Sequence, residues 1–163
     1  MNQSEIDEVL RLHKLWLEGH KDGKRANLSG ADLLRADLSG ANLSEANLFL
    51  ADLIGANLIG ANLREADLRE ANLSRANLIR ANLSGAKLWD TIGNGVEIRT
   101  LQLPEYTVVY AGDRIQIGCK NHSIQEWSEF DDEVIKGMSD NALDFWKKAK
   151  PVILELAKWN KNS

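Results

Sequence analysis

Between residues 26 and 90 the chain runs apolar, polar, apolar, variable, variable, over and over. Alanine stands first and leucine third in each of thirteen consecutive five-residue units, from Ala26 and Leu28 to Ala86 and Leu88. The second residue is Asn or Asp in twelve of them and Lys87 in the last. A period of five fits neither regular element. On an α-helix each leucine would advance about 140° beyond a full turn, so no buried stripe forms. On one flat strand successive leucines would alternate faces, because five is odd. The chain must instead turn a corner once per unit. Ala and Leu, two residues apart, then point to the same side of one short β segment. Four corners close a square coil. Its interior is filled by Ala and by the predicted core leucines: Leu28, Leu33, Leu38, Leu43, Leu48, Leu53, Leu58, Leu63, Leu68, Leu73, Leu78, Leu83 and Leu88. Asn or Asp between them faces out. Repeats of fixed period mark solenoids, whose units stack to share one core.

The units ANLSG, ADLLR, ADLSG and their successors resemble the pentapeptide-repeat family, whose pattern is A(D/N)LXX. The resemblance spans residues 26–90 and implies a mainly β fold, a right-handed quadrilateral β-helix with four pentapeptides per coil. Thirteen units then make a little over three coils. At roughly 4.8 Å per stacked strand, the tower is about 16 Å tall.

The period changes on either side, which divides the chain into 1–25, 26–90 and 104–163. In the first part Ser4 and Asp7 suggest a capping box. Ile6, Val9, Leu10, His13, Trp16 and Leu17 recur at helical spacing, and Gly19 and Gly23 end the helix. Through Ile6, Val9, Leu10 and Leu17 this helix is expected to cap the coil that begins at Ala26, because an open coil exposes apolar interior and strand edges. Thr91 to Thr100 keeps β character and is expected to add a last partial coil, extending the tower to about 103. A break follows at Leu103-Pro104-Glu105. Thr107–Ala111 and Arg114–Gly118 read as a hairpin around Gly112-Asp113. Ser123 and Glu126 form a capping box for the next helix. Asp131 to Lys136 suits a short helix, and a longer one follows from Ser139 or Asp140, which Pro151 should kink or split. The run QIGC..H...EW..F, from Gln116 to Phe130, is similar to the tails of some bacterial and phage pentapeptide-repeat proteins. That similarity implies no activity.

The stretch from Leu143 to Trp159 is apolar over more than one stripe, so it needs two covering surfaces. One is expected to be the hairpin and last coil. The other is expected to be a second copy, giving a homodimer through the C-terminal segment with Trp146 and Ile153 in the interface.

Composition narrows the functions. The 163 residues are 44% hydrophobic with a formal net charge of −4. That mild charge argues against direct nucleic-acid binding, which needs a basic stripe. The acids of MNQSEIDEVLRL do not suit a secretory leader. No apolar run is long enough to span a membrane. Cys119 is the only cysteine, which fits a reducing compartment. A cytoplasmic location is expected.

Chemistry-bearing motifs are sparse. Cys119 and His122 form C-x-x-H, half of a zinc site or a thiol with its base. The other histidines, His13 and His20, lie at the far end of the chain. A small buried thiol and a histidine near a helix start is the plainer reading. Asp32, Asp37, Asp52 and Asp67 lack the spacing of a calcium loop and are read as bridges between coils. No nucleophile motif or phosphate-binding loop occurs. No catalytic, cofactor or metal residues are assigned, and an enzyme is not expected.

Outward apolar residues remain. Phe49, Leu50, Ile54 and Ile59 come from three consecutive units and wrap the middle coil. A contiguous apolar patch marks a contact: with the chain's own tail, a second copy or a foreign protein. The function expected is a non-catalytic interaction module on a rigid solenoid, with a protein partner not named by the sequence. The alternative is a DNA mimic, or another inhibitor of a nucleic-acid or host-defence enzyme. A 16 Å tower imitating DNA would need about nine negative charges. Residues 26–90 hold eight acids against six bases, which places the mimic second.

Overall fold

The computed structural model describes residues 1–103 and 105–159. Pro104, where the break was expected, and the side chain of Trp159 lie outside the described residues.

The repeat forms a β-helix solenoid with one coil per twenty residues. Parallel bridges join Asn27 to Asn47, Asp32 to Asp52, Asp37 to Asn57, and so on up to Asn72 with Ile92. Each bridge is held by a backbone pair such as Leu33 N–H to Asp52 O at 2.8 Å and Asp52 N–H to Ala31 O at 2.9 Å. Within a unit the corner is a tight turn, for example Ala36 N–H to Leu33 O at 3.0 Å. The fifth residue of all thirteen units has positive φ, from 54° at Asp90 to 72° at Gly85; five are glycines and eight are not. The second residue holds the turn. In all twelve units with Asn or Asp there, its side-chain Oδ1 accepts from the backbone N–H two residues on. Three of these side chains also link coils, Asn47 to Asn27, Asn57 to Asp37 and Asn62 to Asn42. Bridging is therefore secondary to a local Asx turn.

All the predicted core leucines are buried except Leu83, which is half-buried where the last coil is incompletely covered. Ala31, Ala41 and Ala81 are also half-buried. The second residues are exposed or half-buried, apart from Asp67, which Arg69 covers.

Helix α1, Gln3–Leu17, lies under the first coil. Its capping box is Asn2 with Glu5 rather than Ser4 with Asp7, since Ser4 is already helical. Ile6, Val9 and Leu10 pack on the tower core. The next turn contributes His13 rather than Leu17. His13 Nδ1 accepts from Ala26 N–H at 3.1 Å and its Nε2 lies 3.0 Å from Ser44 O. Gln3 both donates to Asp37 O and accepts from Asp37 N–H. The lower edge is thus covered by apolar and polar side chains together.

Above the tower, residues 98–123 form an antiparallel meander in the order β1-β2-β3-β4: Ile98–Gln102, Thr107–Ala111, Arg114–Ile117 and Lys120–Ser123. The hairpin expected around Gly112 is β2–β3, with Ala111 opposite Arg114. The partial coil expected over Thr91–Thr100 is only half made. Ile92 still pairs with Asn72, but Ile98–Gln102 leaves to pair with β2. Alternation along the sheet sends Ile98 and Val109 into the tower core and Val108, Tyr110, Ile115 and Ile117 into a second core. That second core is closed by α2 (Ile124–Glu129), α3 (Asp132–Lys136) and α4 (Ala142–Trp159). α2 starts at the expected Ser123–Glu126 capping box. α4 runs through Pro151 as a single helix, so the expected split does not occur. Pro151 is on the exposed side while Phe145, Trp146 and Ile153 anchor the buried side, so packing outweighs the lost backbone bond.

Candidate interaction surface

The fourth and fifth residues of each unit stand at the corners, where the Asx turn aims them outward. The twenty-residue register stacks them in columns. Leu34 lies beside Ile54 in one column, since Arg35 N–H bonds to Ile54 O. Ile59 and Ile79 share the next, where Gly60 N–H bonds to Ile79 O. Leu34 and Ile79 are each 53% exposed, Leu50 is 50% and Ile59 is 39%. Phe49 and Ile54 are half-buried. Arg69 lies over the Phe49 ring, 5.5 Å from its centroid. That guanidinium is held by Asp67 through bonds of 2.7 and 2.6 Å. The Arg69 hydrogen bond keeps the Asp67 carboxyl below its ordinary pKa, against the opposing effect of its partial burial. Leu34, Leu50, Ile59 and Ile79 all remain exposed, so the described part of the tail does not fold back over them. The column of Leu34 and Ile54 also carries Arg35 and Arg75, and that of Ile59 and Ile79 carries Arg80, all on fifth positions.

Trp146 and Ile153 are not on this surface or any other. They are 3% and 0% exposed. Tyr110 donates its hydroxyl to Ile153 O at 3.1 Å, and the Trp146 ring is 5.1 Å from that of Trp127. The expectation that they meet a second copy is corrected. These two residues are covered by the same chain, in a core that α4 shares with the sheet, α2 and α3, while Val152 on the same helix is left 55% exposed. Burial under this layer also drives the Tyr110 hydroxyl pKa strongly upward.

Cys119 is exposed rather than buried. His122 packs edge-on against Trp127 and Phe130, at 5.2 and 4.9 Å. It serves an aromatic cluster. Among the described residues no group of three or more His, Cys, Asp and Glu is placed to hold a metal ion. No described helix is long and apolar enough to cross a membrane. Sequence reasoning missed the capping work of polar side chains: His13, Gln3, and Gln116, whose Oε1 accepts from Leu88 N–H at 3.0 Å. Only His13 left a signal, as a polar residue within the apolar stripe of α1.

A family model described as pentapeptide repeats matches residues 24–48 and 51–90, in eight copies. The chain belongs to the pentapeptide-repeat family. Solved structures with the same repeat include a pentapeptide repeat protein from the Arabidopsis thaliana thylakoid lumen. It is 37% identical over 40% of this chain and 49% of that one, with a TM-score of 0.28. HetL, a pentapeptide repeat protein involved in heterocyst differentiation regulation in the cyanobacterium Nostoc, is 39% identical. That match covers 42% of this chain and 35% of HetL, with a TM-score of 0.27. Another pentapeptide repeat protein from Nostoc is 41% identical over 48% of this chain and 74% of its own, with a TM-score of 0.19. This pentapeptide-repeat chain thus spans about half or less of the first two relatives. No curated protein matches it.

Proposed function

We propose that this chain is a non-catalytic interaction module that presents the apolar corner columns of a rigid pentapeptide-repeat tower to a protein partner. The carrying observation is the apolar corner columns left uncovered, with Leu34, Leu50, Ile59 and Ile79 between 39% and 53% exposed. The tower's own core is already filled by Ala and Leu, so these side chains contribute little to folding. Large apolar side chains on a rigid frame add contact area at small entropic cost. Arg35, Arg75 and Arg80 beside them suit a partner whose apolar patch is edged by acidic side chains. Proteins of this family are generally non-catalytic, which agrees with this reading.

The proposal takes the tower as a right-handed quadrilateral β-helix. The twenty-residue register, four five-residue units to a coil, supports the four sides. It divides the chain into a capping helix, 1–25, a solenoid, 26–90, and a hairpin and helical segment, 104–163, to whose hairpin the stretch between them adds β1. It places the protein in the cytoplasm, without direct nucleic-acid contact. A second copy of the chain is one partner these columns could take.

The test is an affinity capture from the source cell with wild type and a Leu50→Asp, Ile59→Asp double variant of equal thermal stability. The wild type should retain a defined protein that the variant loses. Capture of the same proteins by both, or of nothing by either, would remove the support for these columns.

A further inference from the structure

Within the tower each unit bonds to the unit twenty residues on in three places. Leu63 N–H donates to Asn82 O at 2.8 Å, Glu65 N–H donates to Ser84 O at 2.9 Å, and Asn82 N–H returns to Ala61 O at 2.9 Å. One coil later the corresponding groups are Leu83 N–H, Gly85 N–H and Ala81 O. None of these three has a hydrogen-bond partner among the described residues. Elsewhere the caps reach the edge backbone: Gln3 at Asp37, His13 at Ser44, Gln116 at Leu88 and Asn94 at Ala76. The chain's own continuation does not cover Ala81–Gly85, because Ile98–Gln102 leaves the coil to pair with β2.

A groove of about 460 Å³ lies over this edge, within the size range of ligand clefts. Ala81, Leu83 and Ser84 line one wall, and Val96, Arg99 and Arg114 line the other. The register of the stack aims Leu83 N–H and Gly85 N–H away from the coil below, as it aims those of Leu63 and Glu65. Ala81 and Leu83 are only half-buried, and Val96 is exposed, so the groove also offers apolar surface. Its charges are unequally committed. Arg114 donates to the side chain and carbonyl of Asn121 at 2.9 and 2.8 Å, and Glu97 accepts from Asn94. Asp113 is exposed to solvent. Arg99 is half-buried and makes no ion pair or side-chain hydrogen bond among the described residues. A partly desolvated guanidinium without a partner favours a carboxylate.

We propose that this groove takes an extended acidic segment of a partner protein, added as a strand on Ala81–Gly85. The segment runs parallel to that unit and completes its three unmade bonds. It sets a small apolar side chain over Leu83 and a carboxylate on Arg99. Strand addition draws affinity from main-chain bonds and specificity from alternate side chains. The site is separate from the corner columns.

The test titrates the full nitrogen-15-labelled chain with the peptide acetyl-Asp-Ala-Asn-Val-Ser-Gly-amide, whose Asn N–H is the donor for Ala81 O. The Leu83 and Gly85 amide signals should shift saturably. With peptide at about ten times its Kd, their hydrogen exchange should slow about tenfold. Methylating the peptide's Asn nitrogen removes that donor and should weaken binding about tenfold. Changing the peptide's Asp to Asn, or Arg99→Gln in the protein, should each weaken binding about tenfold, with no further loss when the two are combined. The Leu50→Asp, Ile59→Asp variant should bind the peptide as wild type does, so that the edge and the columns stand or fall separately. The proposal is overturned if the Leu83 and Gly85 amides neither shift nor gain protection at millimolar peptide, or if the methylated peptide binds as tightly as its parent. Neither result depends on a protein variant folding. Independent, additive losses from the two charge changes would overturn the contact to Arg99.

Discussion

Each unit's fifth residue is where the tower's local strain resides. Its φ is positive in every unit, yet eight of the thirteen are not glycine. Left-handed backbone costs an L-residue about 1–2 kcal/mol. Inter-coil bonds and the buried Ala and Leu of the same unit offset that cost. Gly60 isolates the effect, because a Cβ there would meet nothing within 4 Å. Gly60→Ala should lower stability by about 1 kcal/mol in urea unfolding, and Gly60→Asn by less, since Asn tolerates this region. An Ala variant as stable as wild type would show that the coil sets the corner without regard to side chain. His13 offers a second reading at this scale. Burial holds its pKa below the ordinary value, outweighing the Ser44 carbonyl that favours protonation; Arg25 lowers it further and Glu45 raises it. The imidazole is therefore neutral in the fold, its Nδ1 accepting from Ala26 and its Nε2–H donating to Ser44. The unfolded chain takes up the proton first, below about pH 6.5. Stability should be complete above that value and fall as the pH drops through the folded-state pKa. Unfolding midpoints measured from pH 8 to pH 5 should show the loss, and His13→Gln should flatten the curve.

At the scale of elements, each end of the tower has its own cover. α1 closes the bottom with Ile6, Val9 and Leu10, and with Gln3 and His13 on the edge backbone. The meander closes the top with Ile98 and Val109. Removing residues 2–22 should expose an apolar interior and a row of unpaired strand groups. The truncated protein should aggregate or form a new oligomer on a sizing column, whereas an equally stable monomer would show that the coil tolerates an open end. The caps were unequally legible. The apolar spacing of α1 was plain, but its partner residues depended on where the helix sits under the coil. In β1 the segment after Ile92 could pair with the last coil or with Thr107–Ala111. Both partners are β in character, and only the docked sheet decides between them.

In the whole molecule, two cores share one sheet. Leu58 lies in the tower core and Ile153 in the tail core, both 0% exposed. Leu58→Ala and Ile153→Ala should each cost about 2–5 kcal/mol from lost burial and cavity formation. With no shared partners, the double variant should cost the sum within about 0.5 kcal/mol, as read from denaturant curves. A larger discrepancy would mean that strain passes through the sheet from one core to the other.

The period of five alone determined the solenoid, its leucine core and its outward corners. No other backbone geometry places every Ala and Leu on one side, so local covalent geometry and burial agree along the whole stretch. The capping box at Ser123 and the hairpin at Gly112 were equally local, each specified by residues within a few positions of one another. Tertiary structure alone decided the rest. Trp146 and Ile153 read as interface residues because an apolar helix looks the same whether its second cover is another copy or its own chain. The distinction depends on α2 and α3 reaching back over α4. The groove over Ala81–Gly85 likewise belongs to no segment, since its walls come from residues 81 to 114. A groove is a property of how finished elements fit together, and no pattern along the chain encodes it.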